Sequence, residues 1–297
     1  MPAHATIVAI GEVLWDMFPE GPQFGGAPAN FACSVAGLAG EDVEVCVLSA
    51  VGRDELGQRA LDILHDRGVD TSYVSQIDHP TGQVLVHLDA AGHASYEFAS
   101  DNAWDYIPWT DELLPLASRA DVVCFGTLAQ RSGTSRSTIQ SFLQATRADC
   151  LRILDINLRP PFWSNEVVQQ SLELANILKL NDHELRVVAQ IMDLKIPDHQ
   201  IVEQLLRDFR LKLVALTYGA KGAIIRSLDE HSDLPSENIE VVNTVGAGDA
   251  YTAALAIGML RGLPVAQTNA WANRVAAFVC TQPGAAPNLP DSLRVNA

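Results

Sequence analysis

Asn243-Thr244-Val245-Gly246-Ala247-Gly248-Asp249-Ala250 decides the reading of this chain. The apolar run Ile239-Glu240-Val241-Val242 leads in and predicts a β-strand; a small-residue run from Ala250 to about Leu260 leads out and predicts a helix. A chain that breaks at two glycines and then turns into a helix leaves backbone N–H groups unpaired at the positive end of the helix dipole, which is an anion site. Gly246 and Gly248 remove the Cβ atoms that would hold a phosphate off the backbone. A carboxylate in that first turn, Asp249, repels a phosphate. Its presence makes sense if it takes the proton of a hydroxyl that attacks the phosphorus, which points to a kinase for a small alcohol.

Outward from this stretch, strands and helices alternate. Thr6–Gly11 and Val43–Val51 are continuous apolar runs of the kind buried on both faces, and similar runs recur at Asp121–Phe125, Leu151–Ile156, Ile177–Leu180 and Lys212–Thr217. Helical patterns lie between them, and a polar bend is expected from Ser227 to Asn238. The alternation predicts one α/β domain, a mostly parallel sheet with helices on both faces, whose ligands sit beyond the C-terminal strand ends. Val84–Asp89 and Ser95–Phe98 flank a glycine turn at Ala90-Ala91-Gly92 and read as a hairpin inserted among the β-α units.

The chain has 297 residues, 48% of them hydrophobic, so it can bury a sizeable core. Its net charge of −16 argues against a nucleic-acid partner, and no run is long and apolar enough for a membrane span. The N-terminus lacks the basic and apolar regions of a signal peptide, and Cys33, Cys46, Cys124, Cys150 and Cys280 are odd in number and widely spaced. A cytoplasmic protein without disulfides or structural metal is expected. The G-x-G near the C-terminus has Tyr251 where a dinucleotide fingerprint needs a third glycine, and no Walker A sequence occurs.

With these residues in view, the chain resembles the ribokinase-like, or PfkB, carbohydrate kinases over essentially its whole length. Gly25-Gly26-Ala27-Pro28-Ala29-Asn30 is similar to the family's N-terminal glycine signature in its fructokinase form, and Asn243 to Asp249 to its C-terminal signature. Val51-Gly52-Arg53-Asp54, Leu154–Trp163, Lys179–Glu184 and Thr217–Gly222 also match, in the family's order. The resemblance implies a three-layer α/β/α fold, 1–297, with a small β lid from insertions at about 12–30 and 81–107. It implies phosphorylation of a sugar primary hydroxyl by ATP with Mg2+, with fructose the leading substrate and 2-keto-3-deoxygluconate, ribose or a nucleoside behind it. A sugar- or nucleotide-binding regulator without catalysis is the alternative from another class.

Residue by residue, the resemblance makes Asp249 the base and the N–H groups of Gly246, Ala247 and Gly248 the anion hole. A helix N-terminus should lower the pKa of Asp249. Asp16, Gly26 and Asn30 would hold the sugar, with Arg159 at a hydroxyl, phosphate or carboxylate. Asn181 and Glu184 would organise magnesium through water, although a helix cap with a charged neighbour gives the same pattern. Thr217, Gly219, Lys221 and Gly222 would meet the nucleotide phosphates, and Asn273 would line the adenine pocket. The signature usually begins with Asp where this chain has Asn243. With Val245 and Ala286 that position would shape a monovalent-cation site, so weak or absent K+ activation is expected. The family's lid often also makes dimer contacts, which leaves a homodimer through the lid open.

Overall fold

A computed structural model describes residues 5–40, 42–88 and 94–295. The strands are β1 (Ala5–Ile10), β2 (Leu14–Phe18), β3 (Gly21–Gly25), β4 (Val43–Gly52), β5 (Val74–Ile77), β6 (Gly82–Leu88) and β7 (Ala94–Phe98). They continue with β8 (Val122–Phe125), β9 (Leu151–Asp155), β10 (Ile177–Asn181), β11 (Leu213–Thr217), β12 (Ala223–Arg226) and β13 (His231–Leu234). The helices are α1 (Ala27–Ala39), α2 (Glu55–Asp66), α3 (Leu113–Arg119), α4 (Gly133–Ala145) and α5 (Asn165–Leu174). After them come α6 (Asp182–Ile191), α7 (Asp198–Asp208), α8 (Ala247–Leu260) and α9 (Val265–Cys280).

Nine strands form one sheet in the order β5-β4-β1-β8-β9-β10-β11-β12-β13. It is parallel from β5 to β11 and antiparallel at the β12 and β13 edge. The alternation along each strand builds the two cores. Ile7, Ala9, Val45 and Val47 join one buried cluster with α1, α8 and α9, whereas Val8, Ile10, Cys46 and Leu48 join another with α3 to α7. Helix α8 is apolar nearly all round and buried from Ala250 to Gly258, as a helix packed between α1 and α9 must be. From β1 the chain goes first to β4 on one side and later to β8 on the other, which opens a crevice beyond their C-terminal ends. The five cysteines are free thiols, and no helix among the described residues is long and apolar enough to cross a membrane.

A second sheet, β3-β2-β6-β7, stands apart from the first. Its two hairpins are joined by parallel pairing of β2 with β6, so Asp16 lies between Gln23 and Val84. The turn expected at Ala90–Gly92 lies outside the described residues.

Three expectations need correction. Ile239–Val242 is not a strand: Val241 and Val242 are exposed, and the Val242 N–H goes to the Cys280 carbonyl, because β13 already forms the edge of the sheet. The polar bend contains that edge strand, which pairs antiparallel with β12 through its backbone. Helix α8 begins at Ala247 rather than Ala250, so both its glycine-loop N–H groups and Asp249 belong to its first turn.

Candidate active site

The crevice between β1, β8 and β9 gathers the chemistry. Glu12, Asp155, Asn157 and Asp249 line it together with Phe31, Phe125 and Gly126. Gly246 sits at the helix cap with φ +80, and a Cβ there would overlap the Ala285 carbonyl oxygen, so only glycine lets the chain turn against the 284–287 segment. Ala285 of that segment thereby lies against the loop that carries Asn243 and Val245. The Asn243 side-chain oxygen, however, is taken by the Val245 N–H at 3.0 Å. Of the three N–H groups expected to form the anion hole, that of Ala247 makes a long bond of 3.4 Å to the Thr244 carbonyl. The N–H groups of Gly246 and Gly248 have no protein acceptor among the described residues.

Asn30 and Asp249 meet although 219 residues separate them: the Asn30 Nδ2 donates to Asp249 Oδ2 at 2.9 Å. The packing of α1 against α8 produces this contact, and Asn30 Oδ1 is left buried without a hydrogen-bond partner among the described residues. Burial raises the Asp249 carboxyl to about 6, and the negative Asp155 adds to the rise. The Asn30 hydrogen bond, Lys179 and Arg159 oppose it. Burial therefore outweighs the helix N-terminus, and the expected depression of this pKa does not occur.

Other carboxyls share the environment. Burial pushes Glu12 up to about 7, with Asp249 adding and Arg159 opposing, and pushes Asp16 up to about 6 against the pull of Arg159. The exposed Arg159 thus acts electrostatically on Glu12, Asp16 and Asp249 together. Gly26 adopts φ +107 and passes so close to the Glu12 carbonyl that no side chain fits, which ties the start of α1 to the strand entering the second sheet.

Asn181 and Glu184 form a capping box on α6. Asn181 Oδ1 accepts from the Glu184 N–H at 2.9 Å, and Glu184 Oε2 accepts from the Asn181 N–H at 2.8 Å. Glu184 Oε1 also accepts from the Leu158 N–H at 3.0 Å, which fixes the segment leading to Arg159. Each of these oxygens thus already accepts one hydrogen bond and keeps a lone pair for a further donor or cation. Thr217 ends β11 in register with Asn181, and Gly219 and Lys221 form an exposed turn that Gly222 closes. The Asn273 amide nitrogen donates to the carbonyl and side-chain oxygens of Asn269 within α9.

Three residues without an assigned role complete the picture. The buried Lys179 lies 3.0 Å from Asp155 Oδ1, and Thr252 Oγ1 is 2.8 Å from Asp155 Oδ2. Burial lowers the Lys179 ammonium's pKa, but attraction by Asp155, Glu184 and Asp249 outweighs it and leaves the group above the usual lysine value. The signal in the sequence was Lys179 itself, a lone cation inside Ile177-Leu178-Lys179-Leu180 that needs a carboxylate partner.

Known proteins resemble this chain over nearly its whole length. Fructokinase-1 of Zea mays is 30% identical across 97% of this chain and 96% of its own length. A sugar kinase of Pyrococcus horikoshii, solved in complex with ATP, superposes with a TM-score of 0.80 at 28% identity over 94% of this chain and 93% of that one. The fold is shared with a fructokinase of Xylella fastidiosa solved with bound ATP, at a TM-score of 0.85 and 22% identity over 97% and 96% of the two chains. The sequence profile of the pfkB family of carbohydrate kinases matches residues 21–292, and the chain belongs to that family.

Proposed function

We propose that this carbohydrate kinase transfers the terminal phosphoryl group of ATP to a primary hydroxyl of fructose. The observation that carries the reading is the Asn30–Asp249 contact, which brings the two glycine signatures to one point in the crevice. Asp249 accepts the hydroxyl proton as the sugar oxygen attacks the γ-phosphorus. The bond to the bridging oxygen breaks, and ADP leaves with that electron pair. In a loose transition state the proton moves late, so a carboxylate near 6 is basic enough at neutral pH. The free N–H groups of Gly246 and Gly248 face the charge that develops on the transferred group.

Asp16, Asn30 and the Gly26 turn hold the sugar in this reading, and the four-stranded sheet serves as the lid that keeps water from ATP. Thr217, Gly219 and Lys221 lie on the nucleotide side. Magnesium, held through water at Asn181 and Glu184, would neutralise the phosphate charge. Similarity to a fructokinase over nearly the full length supports fructose. A 2-keto-3-deoxy sugar acid is the second reading, favoured by the exposed Arg159, whose guanidinium fork suits a carboxylate.

ADP release against fructose, 2-keto-3-deoxygluconate, ribose and nucleosides tests the proposal. Fructose should give the highest kcat/KM. A higher value with the sugar acid selects the second reading, and ATP binding without release for any sugar selects a regulatory protein. Asp249→Asn should lower kcat by about 10²–10⁴-fold while ATP affinity holds; undiminished turnover removes Asp249 from the base role.

A further inference from the structure

We propose that Lys179 is a positioning residue for phosphoryl transfer: its buried ammonium, held by Asp155 beneath the first turn of α8, places fixed positive charge behind the Gly246–Gly248 loop and the Asp249 carboxylate. The inference rests on the reading of that loop as the anion hole and of Asp249 as the base.

The geometry is a closed ring. Lys179 Nζ lies 3.0 Å from Asp155 Oδ1 and 3.0 Å from the point where a Cβ on Gly248 would stand. The ammonium therefore sits directly under the glycine whose N–H faces the phosphoryl group. Asp155 Oδ2 is met by the Thr252 hydroxyl at 2.8 Å, and the same hydroxyl lies 2.9 Å from the Gly248 carbonyl. Its single proton serves one of the two acceptors, and the ionised carboxylate is the stronger. The ring thus runs from the loop through Thr252, Asp155 and Lys179 back to the loop.

Stability does not account for the lysine. A buried ion pair recovers little more than its desolvation cost, and apolar residues of similar volume often serve a fold as well or better. Nor is Asp155 the only charge the ammonium meets, because Glu184 and Asp249 act on it as well. Among the described residues its one hydrogen-bond partner is Asp155, so two of its three N–H groups are free of protein acceptors. A cation so placed is already oriented before reaction. It favours the ionised base and the anionic phosphoryl group without any reorganisation.

The test compares Lys179→Met and the uncharged pair Lys179→Met with Asp155→Asn against the wild type, by steady-state kinetics across pH. At about pH 8.5, where Asp249 is ionised in every form, kcat of Lys179→Met should fall about a hundredfold while the sugar KM changes less than about threefold. Its acidic limb should also move up by about one pH unit. The double variant leaves no unpaired buried charge and so guards against misfolding. It too should stay about a hundredfold slow, with wild-type ATP binding and an intact melting transition. The inference is overturned if Lys179→Met keeps wild-type kcat and limb. Recovery of wild-type kcat in the double variant also overturns it, because the lysine then only neutralises Asp155. A wild type inert with every sugar overturns the kinase reading itself, and this inference with it.

Discussion

Replacing Asn30 with leucine removes the one hydrogen bond that steadies the ionised Asp249 from the facing helix. The donor sits 2.9 Å from Asp249 Oδ2, and Asn30 is only 4% exposed, so water cannot readily take its place once leucine fills the volume. A hydrogen bond to a charged group contributes about 1.5–3 kcal/mol, and one pKa unit corresponds to about 1.4 kcal/mol. Loss of the bond should therefore raise Asp249 from about 6 to about 7–8. In the proposed mechanism Asp249 must be ionised to accept the proton, so activity should be lost as pH falls through this value, and a higher pKa should move the loss to higher pH. The assay is kcat/KM for the sugar from about pH 5 to 9 at saturating magnesium-ATP, whose own titration is common to both proteins. Asn30→Leu should be slower than wild type by an extra factor of about five to fifty at pH 6 compared with pH 9. A factor constant across pH reports lost sugar contacts and is separable from this one. Coincident acidic limbs in the two proteins would refute the reasoning.

Gly246→Ala places a side chain at φ +80 and against the Ala285 carbonyl, so the loop must shift. Melting should drop by several degrees, for a cost of at least about 1–2 kcal/mol, and kcat should fall more than sugar KM rises; unchanged kcat would separate loop geometry from turnover. Because Asn243 spends its oxygen on the Val245 N–H and carries no charge, replacing Na+ by K+ should leave turnover nearly unchanged. A several-fold rise in an ADP-release assay would show that the loop binds the cation regardless.

Legibility in the sequence followed the range of the interaction. Parallel strands buried on both faces announce themselves as apolar runs, so β1, β4 and β8 to β11 lay where periodicity placed them. The edge strand His231–Leu234 did not, because it pairs through its backbone and needs no apolar side chains. Ile239–Val242 misled for the converse reason: it has strand-like residues but no free sheet edge. At the site, glycine signatures and the Asn181–Glu184 cap are local and readable. The Asp249 pKa is not, since it depends on burial and on Asp155, which only the fold brings near. The pairing of Lys179 with Asp155 likewise joins two adjacent strands at no periodic spacing.

The way β2 and β3 leave the body has a mechanical consequence. The hairpin departs after Glu12 and returns through Gly26, and these two points touch, so it is mounted on a single post. The other mount is at Thr81, whose N–H and hydroxyl are both clamped by the Asp54 carboxylate. Since β2 pairs with β6, the two hairpins are tied into one plate on two pins. One pin stands inside the crevice, a single residue from the helix that carries Asn30. A load on the plate therefore enters the body at this joint, next to the helix that brings Asn30 to Asp249.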